Sequence, residues 1–206
     1  MKYSPTLYHL KYVKGKSNKF RVLQNTKKER KNLMENLVKK AKSGDSNAFS
    51  QLIRMNTQSM YKVAWAYLKN DEDVADAISE TILNCYEKLS TLKKDSYFKT
   101  WMIRILINEC NKILNHYKKF NWDEEIPLIG QMDMSIAEFE FKEMLGRIDA
   151  PYRIILLLYY VEGFRISEIA EILDLNKNTV KTRLSRGRQQ AKKEYFSPTS
   201  QNDTLT

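Results

Sequence analysis

Apolar residues recur every three or four positions through most of this chain, and this spacing constrains the fold more than any other feature. Between residues 33 and 119 the pattern runs through successive stretches that are separated at Gly44, at Asn70 and at the polar segment 90–96. Because residues three and four apart share one face of an α-helix, each stretch predicts an amphipathic helix. The sequence therefore predicts an all-α protein whose first unit, residues 33–119, is a four-helix bundle.

A second helical unit is predicted at residues 137–194, after a segment without helical spacing. That segment, residues 120–136, contains Pro127 and Gly130 together with an acidic cluster, which favours a flexible interdomain linker. Residues 1–32 are rich in Lys and Arg and are expected to form a disordered basic arm. Residues 195–206 are expected to be a tail. The chain is thus predicted to hold two small helical domains joined by a linker.

The second unit has the pattern of a helix-turn-helix motif. Pro151 can open its first long helix, and Ser167 can cap the short helix that follows. After a turn at residues 174–176, Asn176 is a suitable cap for a last, longer helix. Val180 and Leu184 of that helix would anchor it to the short helix.

The exposed positions of the last helix are strongly basic, and the helix carries no acidic residue before Glu194. A helix of this kind attracts phosphate, and in a major groove its N-terminal residues reach base edges. Arg186 could contact guanine with two hydrogen bonds. A basic helix on a protein–protein surface is the alternative. The expected DNA contacts are Lys177, Asn178, Thr179, Lys181, Thr182, Arg183, Ser185, Arg186 and Arg188.

The charge of the whole chain also favours a nucleic-acid partner. The formal net charge is +10 with a pI of about 9.4, which favours a polyanionic partner. The longest apolar run, Ile154–Val161, is too short to cross a membrane, and the N-terminus lacks the apolar block of a secretory signal. We therefore expect a cytoplasmic protein.

The residues that would support catalysis or metal binding are sparse. Cys85 and Cys110 are the two cysteines, each among apolar helical neighbours, so buried free thiols are expected. His9 and His116 are the two histidines, and no Gly-rich phosphate loop is present. The sequence accordingly predicts no metal, no cofactor, no small-molecule substrate and no enzymatic activity.

Two sets of residues carry a resemblance to a known family. Glu168-Ile169-Ala170-Glu171, followed by Thr179-Val180-Lys181-Thr182-Arg183-Leu184 with Arg186 and Arg188, resembles the C-terminal domain of extracytoplasmic-function sigma factors of the sigma-70 family. Regulators of the LuxR type share a similar recognition helix. The segment from Tyr97 to Asn108 resembles the family's promoter-melting helix, and Asp73 to Thr81 resembles its polymerase-binding helix. The sequence departs from the family at Ser79, usually Gln, at Ala75, often Glu, and at Gly187, usually Ala.

The resemblance implies a function. A sigma factor binds core RNA polymerase at its clamp and flap and directs promoter-specific initiation, commonly in a stress or envelope response controlled by an anti-sigma factor that is often membrane-bound. The first domain would capture the melted minus-ten element, and the second would grip the minus-thirty-five element as duplex. The implied minus-ten residues are Lys93, Lys94, Trp101, Arg104, Asn108 and Lys112. The implied polymerase-binding residues are Asp73, Asp76, Ser79 and Glu80.

Two other functions are compatible with part of the pattern. A transcriptional regulator that binds its operator alone would use the same C-terminal motif, but would need a sensing or dimerising N-terminal domain. A nuclease would need a metal or acid–base cluster. Neither requirement is met by the residues described above.

Overall fold

The computed structural model describes residues 18–119 and 146–196, with side chains for 28–119 and 146–194. The described residues form helices joined by turns and contain no β-strand, which confirms the all-α prediction. Residues 120–145, which include the predicted linker, lie outside the described part, as do residues 1–17 and 197–206. The helices of the first unit are α1 (Asn18–Lys42), α2 (Ser46–Leu68), α3 (Asp71–Lys88) and α4 (Phe98–Lys119).

Short polar residues set the starts of α2 and α3. The Asp45 carboxylate accepts a hydrogen bond from the Ala48 N–H at 3.0 Å, which caps α2. The Asn70 side chain accepts one from the Glu72 N–H at 2.8 Å, which caps α3. Each cap satisfies a backbone donor that would otherwise lack a partner at a helix N-terminus. Lys69, with φ at 59°, ends α2 in a left-handed conformation.

The apolar stripes of the first unit face one another, as their spacing predicts. The side chains that line this core are fully or almost fully buried, so α1 to α4 share one interior. Its largest completely enclosed members are Leu52, Met60, Leu68, Phe98, Met102, Ile103 and Leu106.

Helix α1 is longer than predicted. It begins at Asn18 instead of near residue 33, so residues 18–32 are helical and not part of a disordered arm. The segment from Asn18 to Lys42 contains neither Gly nor Pro and is rich in Lys, which has high helix propensity. A contact also holds this extension, because the Arg30 guanidinium donates to the Met55 carbonyl at 3.2 Å.

The second unit has the helices that the sequence predicts, with differences at their ends. They are α5 (Ala150–Leu156), which continues as a π turn (Leu157–Val161), α6 (Ile166–Ile172) and α7 (Lys177–Phe196). Pro151 lies in the first turn of α5, as expected. The predicted cap Ser167 instead lies inside α6, because Glu168 reaches back and accepts from the Arg165 N–H at 2.7 Å, so that Arg165 is the cap and the helix starts two residues earlier than predicted.

Gly187 has a packing role that its departure from the family pattern did not reveal. A Cβ at this position would lie 3.1 Å from the Tyr152 Cβ and 3.2 Å from Leu156 Cδ1 and Cγ. These distances are shorter than ordinary van der Waals contact, so the glycine lets α7 approach α5 closely.

Candidate nucleic-acid interface

The N-terminus of α7 is fixed by a cap and by an apolar contact. The Asn176 side-chain oxygen accepts from the Thr179 N–H at 2.7 Å and from the Thr179 hydroxyl at 3.0 Å. One turn further on, Val180 and Leu184 are buried, as is Ile169 of α6. The turn, the cap and the buried pair therefore hold α7 in a defined orientation on α6.

The outward face of α7 combines polar and basic side chains. Asn178, Thr182 and Ser185 are exposed and follow one another at four and three residues, so they form a line opposite the buried residues. Lys181 and Arg186 flank this line and are exposed. The Thr182 hydroxyl donates to the Asn178 carbonyl at 3.0 Å. The face thus offers amide and hydroxyl groups at its centre and cations at its edges. Of the predicted DNA contacts, those that are exposed are Lys177, Asn178, Lys181, Thr182, Ser185, Arg186 and Arg188.

Two predicted arginines lie away from this central line. The Arg188 guanidinium carbon is 5.9 Å from the ring centre of Tyr159 and 5.7 Å from that of Tyr160, within the range of cation–π contacts. Arg183 is half-buried and lines a cleft of about 260 Å³ between the two units, together with Tyr67 and Leu114. Burial raises the pKa of the Tyr67 hydroxyl, and the nearby Arg183 charge partly opposes this rise. Arg183 therefore faces the first unit in this arrangement.

The segment between α3 and α4 is compact. It contains two short 3₁₀ turns, Leu89–Thr91 and Asp95–Tyr97. Leu92 between them is buried, whereas Lys93 and Lys94 are exposed. The Lys94 amino group is 5.9 Å from the ring centre of Tyr97, which is itself exposed. The predicted lysines thus project beside an accessible aromatic ring.

Helix α4 presents two of its predicted residues to solvent. Arg104 and Asn108 are exposed and lie one turn apart on one face. Trp101 is half-buried and packs against Phe98, with ring centres 6.1 Å apart, so most of its ring belongs to the core. Lys112 binds the Glu109 carboxylate at 2.8 and 2.9 Å, so its charge is already compensated.

The predicted polymerase-binding residues are on α3, and Asp73 differs from the others. Asp76, Ser79 and Glu80 are exposed, as their spacing predicts. Asp73 is only 9% exposed and accepts a hydrogen bond from the Tyr117 hydroxyl at 2.7 Å. This bond holds the pKa of Tyr117 at about 12. Asp73 is therefore placed differently from the other three predicted residues, because its carboxylate is largely buried against Tyr117 of α4.

The exposed face of α3 also carries large apolar side chains. Leu83 is 56% exposed and Tyr86 is 65% exposed, and both continue the face that bears Asp76, Ser79 and Glu80. Tyr86 stacks edge-on against Phe49 at 5.2 Å between ring centres. An acidic face with an adjoining apolar patch fits a partner that is basic and partly apolar.

An ion pair joins the two units, and sequence analysis did not identify it. Lys99 of α4 binds the Glu162 carboxylate at 2.8 Å, and the Glu162 side chain is only 6% exposed. The Ser59 hydroxyl of α2 donates to the same carboxylate. The Lys99 amino group also lies 5.1 Å from the ring centre of the buried Phe164. Glu162 of the second unit is thus held by two helices of the first.

A buried arginine makes a second contact between the units. Arg153 is 4% exposed, and its Nε donates to the Ala66 carbonyl near the C-terminus of α2 at 2.7 Å. A second nitrogen of the same guanidinium donates to the Ile148 carbonyl at 3.1 Å. Burial lowers the pKa of Arg153, so these bonds offset part of a desolvation cost. A charged residue directly before the apolar run Ile154–Val161 was the sequence signal for a buried charge, but it does not identify the carbonyl that accepts.

Two other kinds of site are absent from the part of the chain that the structure describes. Within residues 18–119 and 146–196, no three His, Cys, Asp or Glu side chains are grouped so that they could hold a metal ion. In the same residues, no helix combines the length and the apolar character needed to span a lipid bilayer.

Comparison with known families identifies both units. Residues 52–122 match the family described as Sigma-70 region 2. Residues 138–190 match the family described as Sigma-70, region 4. The first match includes most of α2 and all of α3 and α4, and the second includes α5, α6 and most of α7, so each unit of the structure overlaps one recognised sequence family.

Curated relatives match over most of their own length. RNA polymerase sigma factor SigV of Bacillus subtilis is 31% identical over 132 residues, which are 63% of this chain and 80% of the relative. ECF RNA polymerase sigma factor SigW of Bacillus subtilis is 23% identical over 180 residues, which are 79% of this chain and 96% of the relative.

Solved structures share the fold. CnrH in complex with the cytosolic domain of CnrY aligns with a TM-score of 0.62 and 21% identity, covering 81% of this chain and 99% of that one. RpoE of Bartonella quintana in complex with the anti-sigma factor NepR aligns with a TM-score of 0.62 and 20% identity, covering 73% of this chain and 98% of that one.

Proposed function

The chain belongs to the extracytoplasmic-function branch of the sigma-70 family of RNA polymerase sigma factors, and from this premise we propose how its two units share the work. As a sigma factor it binds core RNA polymerase and directs promoter-specific initiation of transcription. One observation supports the roles proposed for the two units. The second unit has a capped, outward-facing basic helix, α7, and the first unit has an exposed lysine-bearing loop between α3 and α4.

The second unit reads the minus-thirty-five element as duplex DNA through α7. Asn178, Thr182 and Ser185 face the base edges, because they form the line that points away from the buried side of the helix. Lys181 and Arg186 lie at the edges of that line, where they reach phosphates or a guanine. Arg188, which lies against Tyr159 and Tyr160, supports the helix from its side.

The first unit captures the minus-ten element as a melted strand. The loop between α3 and α4 offers Lys93 and Lys94 beside the accessible ring of Tyr97, and stacking on an aromatic ring beside cations suits an unpaired base. Arg104 and Asn108 of α4 continue the surface along the adjoining phosphates. Trp101 contributes mainly to the core, and Lys112 is engaged by Glu109.

The exposed face of α3 is the docking surface for the polymerase clamp. Asp76, Ser79 and Glu80 provide polar contacts, and Leu83 and Tyr86 provide the apolar area that a stable interface buries at its centre. Asp73 acts indirectly, since its bond to Tyr117 ties the start of α3 to α4.

The two units must separate when both promoter elements are bound. The elements lie about 25 base pairs apart, which is about 85 Å along B-DNA at 3.4 Å per base pair. Two small domains in direct contact have centres only about 30 Å apart, because a 100-residue domain has a radius of gyration of about 13 Å. Contacts such as Lys99 with Glu162 therefore belong to a closed state of the factor, and promoter binding requires an open one.

We further propose regulation by an anti-sigma factor, soluble or membrane-bound. Of two proteins that share the fold, RpoE was solved in complex with the anti-sigma factor NepR, and CnrH was solved in complex with the cytosolic domain of CnrY. The proposed activity is binding without catalysis, and it requires the cytoplasm, where polymerase and promoter DNA are found.

Binding with and without core polymerase separates this function from that of a stand-alone regulator. The purified chain is mixed with labelled promoter fragments, and mobility shifts are measured with and without core enzyme. A sigma factor should form a sequence-specific complex only with core enzyme. Tight, specific binding by the chain alone would favour the stand-alone regulator instead.

A further inference from the structure

Lys42, the last residue of α1, makes an unusual contact with the loop between α3 and α4. Its amino group donates to the Leu92 carbonyl at 2.6 Å and to the Asp95 carboxylate, also at 2.6 Å. The Lys42 side chain is 24% exposed and that of Asp95 is 19% exposed, so the ion pair is largely removed from solvent. Charge-assisted hydrogen bonds in such surroundings are stronger than ordinary surface ion pairs.

The two acceptors bracket two exposed lysines of the loop. Lys93 and Lys94 are the residues between Leu92 and Asp95, and both are exposed. The buried Leu92 side chain and the amino group of Lys42 fix one end, and the Asp95 carboxylate fixes the other. The two lysines therefore project from a short segment whose ends are both held.

The contact also changes the electrostatics of the loop. An uncompensated Asp95 carboxylate would stand next to the lysines proposed to attract the DNA strand, and would repel phosphate. The Lys42 amino group compensates the negative charge of Asp95, so the potential around Lys93 and Lys94 stays positive toward solvent.

We propose that Lys42 is a positioning residue for recognition of the melted minus-ten strand. In this role Lys42 contacts no base. It holds the loop in the conformation that binds an unpaired base, because a binding site gains affinity and selectivity when its shape is fixed before binding. This inference rests on the proposed function of the loop. The alternative is that the ion pair only attaches α1 to the bundle.

The test compares base selectivity with polymerase binding. Holoenzyme is reconstituted with wild-type chain or with Lys42→Met, and transcription is measured from a responsive promoter and from single-base variants of its minus-ten element. We expect Lys42→Met to reduce the preference for the native bases by about tenfold, a change of about 1.4 kcal/mol, because the variant loses both charge-assisted hydrogen bonds to the loop. Affinity for core polymerase should stay within about twofold, and Lys42→Arg should restore much of the preference.

Controls separate a loosened loop from a damaged fold. Lys40→Met removes an exposed lysine from the same helix and should change neither selectivity nor polymerase affinity. Asp95→Asn removes the ion pair from the other side with little change in shape and should also reduce selectivity. It keeps the proposal testable if Lys42→Met folds poorly. Unchanged selectivity in well-folded Lys42→Met and Asp95→Asn chains would overturn the proposal.

A further pair of variants distinguishes failure of this inference from failure of the proposed function. Lys93→Ala and Lys94→Ala test the loop itself. If they alter minus-ten selectivity while Lys42→Met does not, the loop binds the strand but Lys42 does not position it. If none of these variants alters it, the loop is not the strand-binding surface, and both proposals are wrong.

Discussion

Replacement of Lys99 by Met tests whether the contact between the units holds the factor closed. Lys99 is the cationic partner of Glu162, whose side chain is 6% exposed and accepts a second hydrogen bond from Ser59. Lys99→Met leaves this carboxylate with the Ser59 hydroxyl alone. Truncation of one member of a buried charge pair costs about 2–5 kcal/mol, and the lower end applies because Lys99 is 31% exposed.

A loss of about 2 kcal/mol corresponds to about a thirtyfold shift from closed to open molecules. Single-molecule FRET between dyes at Ser90→Cys and Lys193→Cys, both exposed positions, reports the separation of the units. The buried Cys85 and Cys110 should not compete for the dyes. We expect the low-FRET population to grow in Lys99→Met.

The control for this experiment is Lys119→Met, which removes the same charge from an exposed position at the end of the same helix. Glu162→Gln should open the factor as well, and combining it with Lys99→Met should add little, because both variants break one contact. A FRET distribution for Lys99→Met that matches Lys119→Met would show that the pair does not hold the units together.

Three other predictions follow from the site and from the buried thiols. Arg186→Ala should weaken promoter binding by about 1–3 kcal/mol and relax selectivity at one base position, as measured by competition with substituted promoters; an equal loss on scrambled DNA would identify a phosphate contact instead. Asp76→Lys should reduce co-purification with core polymerase while the circular dichroism spectrum stays normal, and undiminished co-purification would exclude a role for this face. Burial raises the pKa of both Cys85 and Cys110 from 9.0 to about 12. Their contribution to stability is therefore complete below pH 9 and is lost as the pH rises toward 12, because the thiols ionise first in the unfolded chain. The free energy of unfolding should fall over this range less steeply in a Cys85→Ala, Cys110→Ala variant, and an identical slope would contradict the reasoning.

Local features of the fold were predictable because their causes are local. Asn176 was identified as the cap of α7 from its position before a basic helical stretch, and the structure confirms the contact with Thr179. The exposure of Asn178, Thr182 and Ser185 follows from helical spacing once Val180 and Leu184 are assigned to the core.

Features that depend on distant residues were not predictable in the same way. Spacing puts Asp73 on the same face as Asp76, but Tyr117, 44 residues away, covers it. Arg153 donates to a carbonyl 87 residues away, and Lys42 to one 50 residues away. A backbone carbonyl has no sequence signature, so contacts of this kind become visible only when the helices are packed.

Transcription in a purified system tests the central claim most directly. Core RNA polymerase is mixed with the chain and with genomic fragments, and the 5′ ends of the transcripts are mapped. A sigma-factor function predicts defined start sites that require the chain, with both a minus-ten and a minus-thirty-five element upstream. Transcripts whose start sites are the same with and without the chain would contradict it.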